Sequence, residues 1–184
     1  MIDGHIHFHK QPYTLETINK MVAVAMANNI DELYLLDHTH KFYEFKPLYE
    51  SLKTNQDAWE WYDNKKTISI NEYLGFVKEV RKFNLPVKIK FGLEVCFFEE
   101  KTSWLKTELN KYPLDFYIGS VHFIDNFPFD LKAQVWENQD IDHLYQRYYE
   151  IMEVLIKAQL FTHLAHPDSI KLFNYYPSYD LKPT

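Results

Sequence analysis

Three histidines at alternate positions, His5, His7 and His9, stand inside the apolar opening run of the chain, residues 1–9. Read as a strand, such a run sends residues i, i+2 and i+4 to one face. Imidazole is the commonest metal-ligand side chain and binds in its neutral form, so the three together could form one wall of a metal centre. An expression tag would be a contiguous run outside the fold, whereas these histidines interleave with apolar residues. Further along, Glu94 lies within the apolar stretch from Val87 to Phe98, and His38, His122 and His166 close other apolar stretches. A buried, unpartnered carboxylate is very costly. Metal ions remove that difficulty, and one carboxylate can bridge two of them. Glu94 as a metal bridge is therefore favoured over Glu94 as half of a structural ion pair.

The elements that must position these residues follow from the pattern. Residues 2–8 read as a first strand, and Thr14 opens an amphipathic helix to about Asn29, with Leu15, Ile18, Val22, Ala25 and Met26 on one face. Glu32 to Leu36 is a second strand that runs into Asp37-His38-Thr39-His40. Residues 41–67 read as a long loop with a helical turn or two, a length that usually serves a site as lid or wall. Ser69 and Glu72 match a capping box, and the helix they open should reach Phe83 and stop before Pro86. Val87 to Phe98 is a third strand, Ser103 to Lys111 a helix, and Asp115 to Val121 a fourth strand with His122 at its end. A loop rich in Phe, Asp and Pro precedes a helix marked by Ile141, Leu144, Tyr145, Tyr148, Ile151, Met152 and Leu155. Phe161 to Ala165 is a fifth strand, ending in His166-Pro167-Asp168.

This alternation implies parallel strands joined by crossover helices. Its polar residues gather at strand C-terminal ends, where barrel enzymes build their sites. His40 is a second candidate there, with a polar loop residue as the alternative. His163 is a weaker one, and His143 reads as an exposed helix residue.

The chain's 184 residues suggest one domain with a sizeable core, and 17% aromatic residues promise ring-rich walls. No apolar run approaches the ~20 residues of a membrane span, and the start lacks an export signal. The single cysteine, Cys96, cannot form an internal disulfide. A cytoplasmic setting is expected. Net charge is −6 and the arginines are two, Arg81 and Arg147, which argues against nucleic acid as a partner. A small phosphorylated metabolite stays open, because bound divalent cations reverse the local field.

Five segments carry a resemblance, and they fall in one order along almost the whole chain. They are Asp3-Gly4-His5-Ile6-His7, Leu36-Asp37-His38, Gly92-Leu93-Glu94-Val95, Gly119-Ser120-Val121-His122 and Leu164-Ala165-His166-Pro167-Asp168. With them the chain resembles the PHP (polymerase and histidinol phosphatase) superfamily, and within it the histidinol-phosphatase branch. The resemblance implies an α/β fold, a distorted (β/α)7 TIM-like barrel, around two or three divalent ions (Zn, Mn or Fe). His5, His7, His38, Glu94, His122 and His166 fall on the family's ligand positions, and His9 stands nearest to its third early histidine. The family's late Ser-Asp-x-His motif has no counterpart after His166. Either the chain lacks the last one or two βα units, which would leave a strand edge open to association with a second copy and impair catalysis, or the final strands are supplied differently.

The reaction implied is hydrolysis of a phosphomonoester, L-histidinol phosphate to L-histidinol and phosphate in histidine biosynthesis, with metal-activated water attacking phosphorus. Alternatives are a phosphotyrosine or nucleotide substrate, or a metal-binding fragment without turnover. Glu94 and His38 are the catalytic candidates in the cluster, and Asp168 is a candidate proton donor to the leaving group. Arg147 and Lys171 are candidates for gripping the phosphate, with an ordinary surface charge as the alternative for both.

Overall fold

Five parallel strands pair strictly in chain order. They are β1 (Ile2–His7), β2 (Glu32–His38), β3 (Lys88–Cys96), β4 (Phe116–Ser120) and β5 (His163–Leu164). The computed structural model describes residues 1–8, 11–65 and 67–181. Helices α1 (Leu15–Ala27), α2 (Gln56–Asp63), α3 (Ile70–Val80), α4 (Thr102–Leu109) and α5 (Ile141–Lys157) lie in the connections.

Alternation along the strands sorts the side chains. Leu33 and Leu35 of β2, with Phe91, Leu93 and Val95 of β3, enter the large core with Ile18, Val22, Val77 and Leu155 of the helices. On the opposite face Leu36, Phe116, Ile118 and Ala165 form a small apolar cluster, with Tyr34 packed on it. The sheet curls around this inner face. His5 of β1 and His166 after β5 have ring centroids 6.3 Å apart, whereas four flat inter-strand spacings would separate their strands by roughly 19 Å.

Two elements depart from the sequence reading. Most of residues 41–67 is helical: Tyr43–Thr54 winds as a 3-10 helix and α2 follows. The 3-10 stretch buries Phe45 with Leu48 and Tyr49 with Leu52, pairs three apart that match its three-residue turn, and it carries Pro47 inside. An α-helical search at 3.6 residues misses that period.

The cap of α3 is also built differently. Ser69 accepts from the Asn71 N–H at 3.2 Å, as a cap should. The carboxylate that completes it comes from Glu44, which takes the Ser69 hydroxyl at 2.5 Å and the Ile70 N–H at 2.9 Å. A distant acid thus does what Glu72 was expected to do.

Candidate metal centre

β1 carries one extra residue between Asp3 and Ile6, since Asp3 pairs with Leu33 and Ile6 with Leu35. This bulge re-aims the strand midway, as bulges beside sites often do. Asp3 shares a cavity with Ile6, Leu33 and Ala25 of the helix side, while His5 and His7 project together into the inner face. On β3, Glu94 stands in register with His38 of β2 and Ile118 of β4.

Five imidazoles surround the Glu94 carboxylate, whose side chain is 1% exposed. His5 Nε2 and His7 Nε2 each lie 3.0 Å from Oε2, and His38 Nδ1 lies 3.6 Å from the same oxygen. His122 Nε2 and His166 Nε2 approach Oε1 at 2.9 and 3.1 Å. One oxygen thus faces β1 and β2, and the other faces the ends of β4 and β5.

The spacing within the cluster suits a cation. His5 Nε2 and His7 Nε2 are 2.9 Å apart, where two lone pairs or two N–H groups repel unless one proton is shared. Ligand nitrogens on a tetrahedral zinc at 2.0–2.1 Å stand roughly 3.3 Å from each other. Two donor groups meet the geometry, His5 with His7 and Glu94, and His38 with Glu94 and His122, each with ligand atoms within 4.8 Å of one another. Each group could hold a metal ion, and Glu94 belongs to both. His166 adds a further donor beside the second group, and its Nδ1 is buried without a hydrogen-bond partner. Its backbone φ of 27° lies where L residues are strained.

The electrostatics have the same origin. Burial alone would raise the Glu94 pKa, but hydrogen bonds from His122, His166, His5 and His7 outweigh it and hold the carboxyl below its usual range. Burial would lower His122, yet Asp130 and Glu94 on its two nitrogens push it up to about 9. His38 moves the other way. Burial, aided by neighbouring imidazoles, depresses it well below the ordinary value despite Glu94.

The remaining candidates are placed as follows. His9 lies outside the described residues. His40 stacks on His38, with centroids 4.6 Å apart, and meets Trp61 edge-on. Burial there lowers it to about 3. His163 is exposed on the inner face, edge-on to Tyr34 and Phe116. His143 is exposed on α5. Asp168 is exposed and caps the 3-10 turn Ser169–Lys171, where its carbonyl accepts the Lys171 N–H at 2.9 Å. Arg147 is committed elsewhere, to Asp125 and Glu99, both at 2.9 Å. With Glu150 at 3.5 Å as well, this engagement favours the surface-charge alternative for Arg147 over a grip on phosphate.

Sequence reasoning missed two contributors. Asp37 is buried and accepts from Tyr13 at 2.7 Å, from Lys41 at 2.5 Å and from the His38 N–H at 3.1 Å, which anchors the strand end that presents His38. Asp130 meets His122 Nδ1 at 2.6 Å. No spacing rule points to Asp130, because a loop brings it back. Beside His38 opens a cavity of about 800 Å³ lined by Asp37, His40, Lys41, Asn64, Lys65 and Thr67 among others, in the size range of small-molecule sites.

A family model described as PHP domain matches residues 3–182. The probable histidinol-phosphatase of Deinococcus radiodurans is 29% identical over 121 residues, covering 62% of this chain and 46% of that protein. That of Schizosaccharomyces pombe is 25% identical over 113 residues, covering 57% and 37%. Less than half of either relative's length is therefore matched. Histidinol phosphate phosphatase from Lactococcus lactis, crystallised with zinc, L-histidinol and phosphate, superposes with a TM-score of 0.63 at 20% identity, over 93% of this chain and 59% of that one. A putative histidinol phosphatase from Listeria monocytogenes gives 0.67 at 18%, over 93% and 68%. At such identities the structural likeness is one of fold.

Proposed function

The chain belongs to the PHP domain family, and on that footing we propose that it is a metal-dependent phosphomonoesterase, with L-histidinol phosphate as substrate. The observation that carries the reading is one buried carboxylate, Glu94, with imidazoles on both oxygens in two donor groups. His5, His7 and Glu94 would hold one ion, and His38, Glu94 and His122 the other, with His166 beside it. Divalent ions held there supply charge to the phosphoryl oxygens and make water a nucleophile near neutral pH.

The chain's own residues set the stage for that chemistry. Glu94 fixes the separation of the two ligand groups, and Asp37 holds the backbone of His38. The cavity beside His38 receives the organic half of the ester. Lys171 and Asp168, in the turn after His166, are proposed to attract the phosphate and to protonate the leaving alkoxide.

A second reading keeps the reaction and changes the ester. Lys41 and Lys65 line the cavity, and its acid Asp37 is already engaged by Lys41 and Tyr13. With Asp37 so engaged and Lys65 also on the wall, the cavity offers no free acid among its described residues for the ammonium of L-histidinol, which favours a neutral organic half such as a nucleoside or a phenol. Phosphate release from L-histidinol phosphate, nucleoside monophosphates and phosphotyrosine, each with Zn, Mn or Fe, tests both. Turnover of L-histidinol phosphate at the highest kcat/KM supports the first reading. Bound metal without hydrolysis of any ester would refute both readings and leave a metal-binding module.

A further inference from the structure

We infer that Asp130 is a positioning residue for the metal centre, setting the tautomer and orientation of His122. The inference rests on the reading of that cluster as a metal site. His122 presents both ring nitrogens to carboxylates, Nε2 to Glu94 at 2.9 Å and Nδ1 to Asp130 at 2.6 Å. A proton fixed on Nδ1 by a carboxylate leaves Nε2 as the donor atom for an ion, and makes the ring a stronger ligand. His166 shows the contrast, because its Nδ1 is buried with no partner.

The loop after β4 is constructed to deliver this acid. Ile124 and Phe127 exchange backbone hydrogen bonds at 3.0 and 2.9 Å, closing a tight turn in which Asp125 takes a φ of 54°. Phe129, next to Asp130, is fully buried and packs edge-on to Tyr148, with centroids 5.4 Å apart. Trp136 Nε1 then donates to the Phe129 carbonyl at 2.7 Å. The backbone on one side of Asp130 is thus pinned by a buried ring and by a hydrogen bond from a buried indole. The carboxylate itself is 27% exposed, at the edge of the cluster.

Zinc affinity, measured by competition with a chromophoric chelator on metal-stripped protein, tests the assignment in wild type, Asp130→Asn and Asp130→Ala. Both variants should bind roughly 10–100-fold more weakly, and Asp130→Glu should recover part of the loss. In metal-free protein, imidazole NMR should show a low-field Nδ1 proton on His122 that Asp130→Asn abolishes. Asp130→Asn is isosteric and serves where Asp130→Ala does not fold. Affinity of Asp130→Asn within twofold of wild type overturns the inference, even if its melting temperature falls, because a structural ion pair would show that pattern. Wild-type protein that binds no zinc would instead refute the metal-centre reading itself, and the inference with it.

Discussion

Glu94 concentrates the site's chemistry in one side chain. Its carboxylate is shared by both donor groups, so Glu94→Gln should empty both sites rather than one. The expected outcome is metal content near zero by elemental analysis. Hydrolysis should fall by more than the roughly 10–100-fold typical of residues that merely support a ligand. Retention of one ion per chain would refute the shared role. The side chains that meet around Glu94 were legible beforehand: His38, His122 and His166 were named from the ends of apolar strands, and His5, His7 and Glu94 from within them. The bulge in β1 was not legible, because period-two alternation assumes regular pairing, and Asp3 accordingly faces the helices. Asp130 was hidden for a different reason. Its link to His122 depends on a loop conformation that no periodicity encodes.

Among the elements, the glycines of two motif segments do structural work. A Cβ on Gly119 would come within 2.7 Å of the Phe161 ring and 2.9 Å of the Leu155 side chain of α5, so these two side chains rest directly on the β4 backbone. Gly119→Ala should destabilise the fold by about 1–3 kcal/mol through overpacking, read as a lower denaturant midpoint at unchanged slope.

The cap of α3 makes a pH prediction. Burial would raise the Glu44 carboxyl, but the Ile70 N–H and the Ser69 hydroxyl hold it below the ordinary value. A folded pKa below the unfolded one, about 4.3 for glutamate, gives stability that is present above that value. It is lost as pH falls through the folded pKa. Glu44→Gln should therefore cost about 0.5–2 kcal/mol at pH 7, the usual range for a helix cap, and progressively less below pH ~4. A pH-independent difference in urea melts would contradict this. The sequence announced that α3 is capped but not by whom, since the acid arrives from a 3-10 segment that resembled a loop.

For the molecule as a whole, the proposed metal centre would couple folding to metal binding, because the donor groups come from strands spread across the sheet. An ion at 100 times its Kd stabilises the native state by about 2.7 kcal/mol. For a chain of this size that amounts to roughly 5–11 °C in Tm. Chelator should remove the increment and Glu94→Gln should lack it, both measurable by scanning calorimetry. The curl that draws the sheet's ends together could not be read locally, since twist and closure are properties of all the strands at once.

That curl also sets an order in time. Every strand pair joins neighbours in the chain, so the sheet can grow stepwise as the polypeptide emerges from the ribosome. Glu94, His5, His7, His38 and His122 all precede the end of the loop after β4 in the chain, so they can meet before residues beyond that loop are made. His166, 72 residues beyond Glu94, arrives late and must settle into a strained backbone conformation against a pocket already formed. The cluster around Glu94 therefore gains the last of its five imidazoles only after most of the described core residues have been synthesised.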